Sequence, residues 1–156
     1  MKTLVVYFSR SGHNRKIAEE LTDLISADLE EIVDKDPKGF IISGWQAIRK
    51  KKTEINLLSK DPASYDFVIL STPMWVGGMP PAVRMFIDQY LKDIKTFGFL
   101  SVSGNGAKNE KYVDALEREY PFKIEPRLLI SDPEFAKNLY QSSLRNFAKQ
   151  VNERVK

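Results

Sequence analysis

The chain has 156 residues, 42% of them hydrophobic and 29% charged, which suits one globular domain spanning residues 1–156 rather than a tail or a linker. Its 24 basic and 21 acidic side chains leave a net charge of +3, too small to demand nucleic acid or a membrane surface as partner. With no cysteine and a single histidine, disulfides, thiolate metal sites, cysteine nucleophiles and histidine-rich metal centres are excluded, so redox or group-transfer chemistry would require an organic cofactor.

The first apolar run, residues 4–8, is rich in β-branched and aromatic side chains and predicts a strand buried on both faces. It is too short for the apolar core of a secretory signal, and no run approaches the roughly 20 residues of a membrane span, so a cytoplasmic location is expected. Ile17, Ala18, Leu21, Leu24 and Ile25 then recur at helical spacing. Residues 29–33 carry Glu30 and Glu31 in mid-run, which an edge strand tolerates and a central one does not.

Residues 39–52 are weakly helical and end in a basic run, followed by an irregular stretch at Asp61 and Pro62. Residues 67–70, 97–102 and 127–130 predict three more strands. Helical stripes fall between them at Val83, Phe86, Ile87, Tyr90 and Leu91, and at Tyr112, Val113 and Leu116. Asp132 as cap and Pro133 in the first turn predict a last helix running almost to the C-terminus, with Phe135, Leu139, Leu144, Phe147 and Val151 on one face.

Five strands alternating with helices, joined by right-handed crossovers, predict an α/β fold with an open, doubly wound parallel sheet and helices on both faces. In such a sheet a ligand lies beyond the carboxyl ends of the strands. The loops after strands one, three and four therefore hold the candidate site.

The first loop reads Ser9, Arg10, Ser11, Gly12, His13, Asn14, and it opens a helix whose first N–H groups lack intrahelical partners, a ready place for a phosphate. It has neither the three glycines of a dinucleotide fingerprint nor a Walker loop. His13 is either a titratable donor to that anion or an exposed residue at the helix start.

The second loop contains Thr72, Pro73, Met74, Trp75, Val76, Gly77 and Gly78, and ends in Pro80 and Pro81. Prolines stiffen both ends, and no carboxylate of the phosphorelay type stands at the strand end. Trp75 suits a flat ligand. The third loop, Ser103, Gly104, Asn105 and Gly106, is small and rich in backbone donors. Taken singly, each loop also reads as ordinary structure: a helix cap, an aromatic packed on a helix, a turn.

Together the three loops resemble the flavodoxin family across essentially the whole chain, most closely at residues 8–14 and 72–88. The resemblance implies strand order 2-1-3-4-5 and bound FMN, with Ser9, Ser11, Gly12 and Asn14 on the phosphate, Trp75 against the flavin ring, Gly77 and Gly78 near its N5, and residues 103–106 at its pyrimidine end. The chain departs from many flavodoxins in lacking an aromatic in the third loop and in being basic rather than acidic. One flavin face is then left open or covered from elsewhere, for instance near Gly44 and Trp45. Arg10, His13, Arg15 and Lys16 should favour a reduced, anionic flavin.

The function so implied is a flavoprotein carrying one or two electrons between redox partners, either proteins or a small-molecule acceptor. The alternative is an NAD(P)H-dependent quinone or FMN reductase of the same fold. A third reading is an interaction domain without flavin. The positive runs at 49–52 and 135–156 read either as docking sites for an acidic redox partner or as solvated faces.

Overall fold

The computed structural model describes residues 2–36, 52–75, 78–104, 106–120 and 123–154, and its first strand is β1 (Thr3–Tyr7). All of β1 is buried, as an apolar run between two helical layers requires. With β2 (Asp28–Glu31), β3 (Phe67–Ser71), β4 (Phe97–Ser103) and β5 (Ile124–Ser131) it forms a five-stranded parallel sheet of order β2-β1-β3-β4-β5. The direction of winding reverses between β1 and β3, which opens a crevice at their carboxyl ends.

Side chains alternate across the strands and feed two cores. Val5, Tyr7, Ile69, Leu100 and Val102 pack against α1 (His13–Ile25) and the C-terminal helix through Ile17, Leu21, Leu144, Phe147 and Val151. Leu4, Val6, Val68, Leu70 and Phe99 pack on the other face against α2 (Pro81–Tyr90) and α3 (Glu110–Glu119) through Val83, Phe86, Ile87, Val113 and Leu116. Phe67, Phe86, Phe97 and Phe99 are fully buried, each removing apolar surface that stabilises the fold by about 2–3 kcal/mol.

The edge strand β2 is shorter than the expected 29–33, because at Ile32 the chain turns away and residues 33–35 bridge to 54–56 in antiparallel fashion. Its outer edge is capped: Lys60 Nζ donates to the Leu29 carbonyl at 3.0 Å, and the backbone N–H and hydroxyl of Ser59 donate to Glu30. The stretch at Asp61 becomes a short 3-10 turn, Pro62–Ser64, capped by the Asp61 carboxylate.

Two expectations at the C-terminal end are corrected. Strand β5 begins at Ile124, three residues before the expected start, with a bulge that sets three steps of β5 against two of β4. Pro126 stands in that bulge on the edge strand, where its missing N–H costs no ladder bond. The single last helix is in fact two, α4 (Asp132–Ala136) and α5 (Gln141–Arg154). Between them Asn138 takes a left-handed φ of 56°, and the N–H groups of residues 137–139 close the turn on residues 133–135. Leu139, expected on the buried face, is 64% exposed, and Tyr140 takes the inward position.

Among the described residues no helix is long and apolar enough to cross a membrane. Of the basic run at 49–52, only Lys52 lies within the described residues, and it pairs with Asp88 at 2.9 Å. Gly44 and Trp45 lie outside them. In the C-terminal basic stretch, Arg154 pairs with Glu125 and Lys149 with Glu153.

Candidate functional site

The carboxyl ends of β1, β3, β4 and β5 converge on a cavity of about 550 Å³, within the size range of small-molecule sites. Arg10, Ser11, His13, Pro73, Met74, Trp75, Val102, Ser103, Gly104 and Asp132 line it. Eight of these ten were candidates from sequence. Val102 and Asp132 were not, although each stands at the end of a strand pointing to the same edge, which was the available signal.

At one end of the cavity, the chain leaves β1 and starts α1 through Gly12, whose φ of +90° is a conformation that side-chain-bearing residues rarely adopt. A Cβ built there meets nothing within 4 Å, so the backbone faces open space. The Gly12 N–H donates to Ser9 Oγ at 3.1 Å, which leaves the Ser9 hydroxyl proton for another acceptor. Lys16 N–H is the first to bond back within the helix, to Gly12, so the N–H groups of the preceding turn point outward without helical partners. The exposed Ser11 hydroxyl stands beside them.

Asn14 is placed differently from the expectation. It is buried, with its Nδ2 donating to the Val102 carbonyl and its Oδ1 accepting from the Val102 N–H, both at 2.9 Å. Its carboxamide joins α1 to β4 and does not face the cavity; only its backbone N–H stays among the outward-pointing donors. Thr72 is likewise fully buried, its N–H continuing the ladder to Leu100 and its hydroxyl bonding the Pro73 carbonyl. Gly106 is buried too, at φ +49°, where a Cβ would come within 2.9 Å of Ser131, so it seats the third loop against β5 rather than lining the cavity.

At the other end stands Trp75. Its N–H and carbonyl exchange hydrogen bonds of 2.8 and 2.7 Å with Gly78, which pins its backbone. Phe8 meets the indole edge-on at 5.7 Å, and the guanidinium of Arg10 lies over the ring, 5.0 Å from its centre. Val76, Gly77 and Asn105 lie outside the described residues.

On the β5 side, the Nδ1–H of His13 donates to Asp132 Oδ1 at 3.3 Å, while its ring packs on Phe135 with centres 4.6 Å apart. Asp132 reaches this place because the cap of α4 is Ser131, not Asp132 as expected. Ser131 Oγ accepts from the Glu134 N–H while the Glu134 carboxylate accepts from Ser131, a reciprocal capping box. Those bonds, the Ser131 hydroxyl first, hold the Glu134 carboxyl below its ordinary range. Phe135 stacks in turn on Tyr140, at 5.1 Å and 13°. Burial, reinforced by the neighbouring Glu20 carboxylate, pushes the Tyr140 phenol up to about 12.

Among the described residues no group of histidine, aspartate and glutamate side chains could hold a metal ion. Outward-pointing backbone N–H groups at one end of a largely apolar cavity and an aromatic face at the other suit an organic ligand that joins a phosphate to a flat ring system.

Comparison with known proteins agrees with this geometry. No curated protein matches the chain. Among solved structures, one from Bacteroides eggerthii assigned as a flavoprotein is 22% identical, with a TM-score of 0.71 over 94% of this chain and 98% of that one. A flavoprotein from Lactobacillus acidophilus in complex with FMN is also 22% identical, with a TM-score of 0.66 over 87% and 97%. A short-chain flavodoxin associated with a non-canonical PDU bacterial microcompartment is 14% identical, with a TM-score of 0.64 over the full length of both chains. The flavodoxin family profile matches residues 2–132, and the chain belongs to that family.

Proposed function

We propose that this chain binds FMN and serves as an electron-transfer flavoprotein, passing one or two electrons between a redox partner protein and a further acceptor. The observation that carries the reading is one cavity with the open start of α1 at one end and the Trp75 face at the other. The residues present fit the group. The open space at Gly12 and the outward N–H groups of the first helical turn would take the phosphate, with Ser9 and Ser11 adding uncharged donors.

Trp75, held by its paired backbone bonds to Gly78 and by the edge of Phe8, would present a fixed apolar face to the ring. Pro73, Met74 and Val102 would exclude water from that end of the cavity. Bound flavin supplies the reversible uptake of one or two electrons, and the protein's part is to orient it and to set the charge around it. Arg10 brings a positive charge to the cavity wall and Asp132 a negative one, with the His13 ring bonded to Asp132. A ligand of about 31 non-hydrogen atoms, at roughly 0.3 kcal/mol each, gains on the order of 9 kcal/mol, so sub-micromolar binding is expected.

A second reading, an NAD(P)H-dependent reductase of quinones or flavins, is favoured by the small Ser103 and Gly104 on the third-loop wall, which leave room beside the ring. The deciding experiment is an FMN titration of the apoprotein followed by anaerobic stopped-flow mixing with NADPH. Binding without rapid bleaching supports the carrier, and binding with rapid bleaching supports the reductase. Failure of FMN to bind overturns both and leaves a flavin-free interaction domain. Trp75→Ala should weaken FMN binding about ten- to a hundredfold and relieve the quenching of flavin fluorescence.

A further inference from the structure

We infer that Arg10 covers the second face of the flavin, opposite Trp75, so that the ring system is held between an indole and a guanidinium. The inference rests on the FMN reading above and deepens it. Arg10 belongs to the loop that opens α1, yet its side chain reaches along the cavity and lays the guanidinium over the Trp75 ring at 5.0 Å from the ring centre.

A flat ligand stacked on that indole therefore meets Arg10 on its far side. Seating a ring with about 3.5 Å of contact distance on each side requires the guanidinium to withdraw by about 2 Å, within the rotamer freedom of a long, exposed side chain. The other described walls supply no competing flat group there. Ser103 and Gly104 have no ring, and the His13 ring is packed on Phe135 and bonded to Asp132.

A guanidinium is suited to this place for three reasons. It is planar, so it stacks; it is permanently charged, so it favours electron-rich over electron-poor aromatic partners; and it is weakly hydrated, so its transfer onto a ring costs little. It follows that Arg10 holds the reduced, electron-rich ligand more tightly than the oxidised one. It also shields the exposed face from a bulky hydride donor.

The test uses Arg10→Ala and Arg10→Lys in the full chain, reading the FMN dissociation constant from flavin fluorescence and the two-electron midpoint potential from an anaerobic dye titration. Arg10→Ala should weaken FMN binding about three- to thirtyfold and move the midpoint to a more negative value, with Arg10→Lys in between because it keeps the charge and loses the plane. If Arg10 only fills the cavity of the empty protein, Arg10→Ala binds FMN as tightly as the parent or more tightly, and the inference falls. If Arg10 touches only the phosphate, both redox states weaken equally and the midpoint stays where it was, which also overturns it. Failure of the unsubstituted chain to bind FMN overturns the FMN reading itself and this inference with it.

Discussion

The carboxamide of Asn14 takes both polar groups of the Val102 peptide, accepting from its N–H and donating to its carbonyl at 2.9 Å each. The reason lies in the register of the sheet. The Thr72 N–H bonds the Leu100 carbonyl at the end of the β3–β4 ladder, so the N–H and carbonyl of Val102, two residues on, point to the same side beyond it. Asn14 supplies the missing amide, and the Ser71 hydroxyl donates to the Asn14 carbonyl, so three cavity-forming elements meet at one buried residue. Asn14→Ala should leave the Val102 N–H and carbonyl unpaired and destabilise the fold by about 2–4 kcal/mol. Urea denaturation with an unchanged slope and a lower midpoint is the expected result; an unchanged midpoint contradicts it.

That contact shows where sequence reading stops. The apolar runs at 4–8 and 67–70 announce strands buried on both faces, while the strand order came with the resemblance to the flavodoxins. A polar residue in the first turn of a helix, by contrast, reads as a ligand donor or a cap, and only a contact 88 positions away reveals Asn14 as a strand substitute. The start of β5 was hidden by Pro126, which is admissible there only because the strand is an edge with a bulge. The true cap of α4 was legible: Ser131 and Glu134 have capping-box spacing, whereas Asp132 has Phe135 in the corresponding place. The break at Asn138 had a weaker signal, since asparagine is the commonest non-glycine residue at left-handed φ.

Gly12 combines a φ of +90° with open space on the side a Cβ would occupy. Gly12→Ala should therefore have two separable effects. The backbone conformation alone should cost about 1–2 kcal/mol of stability, seen in thermal or urea unfolding of the apoprotein. The added methyl, standing where an anion would approach the start of α1, should weaken FMN binding further, beyond what the lost stability explains. Equal FMN affinity for parent and variant would place the phosphate elsewhere.

Ser131 orients the corner that carries Asp132 toward His13, so the cap and the cavity wall are mechanically linked. Ser131→Ala removes the acceptor for the Glu134 N–H and the hydroxyl donor to its carboxylate. The expected loss is about 1 kcal/mol, typical of a helix N-cap. Ser131→Asp should recover most of the capping but loses the hydroxyl donor to Glu134 and places a carboxylate beside it, so at pH 7 it should stay less stable than the parent. A midpoint for Ser131→Ala equal to that of the parent would remove the capping box from the list of stabilising contacts.

The edge strand β5 is fastened to α3 by Arg127, which is 17% exposed and bonds Glu110 at 2.9 Å, Asp114 at 2.6 Å and Glu117 at 2.7 Å. The Arg127 guanidinium, aided by the N–H of Ile124, holds the Glu117 carboxyl below the usual carboxylate range. Because the folded value lies below the unfolded one, the contribution is complete above the unfolded value of about 4.3 and is lost as acid titrates the folded group. Glu117→Gln keeps an acceptor for Ile124 and loses the charge facing Arg127, so it should cost about 1–2 kcal/mol at pH 7. Urea midpoints of parent and variant should converge as the pH is lowered below the unfolded value of about 4.3 and through the depressed folded one, since the charge facing Arg127 is then lost in the parent too. A gap that stays constant over that range would mean that Glu117 acts through packing and not through its charge.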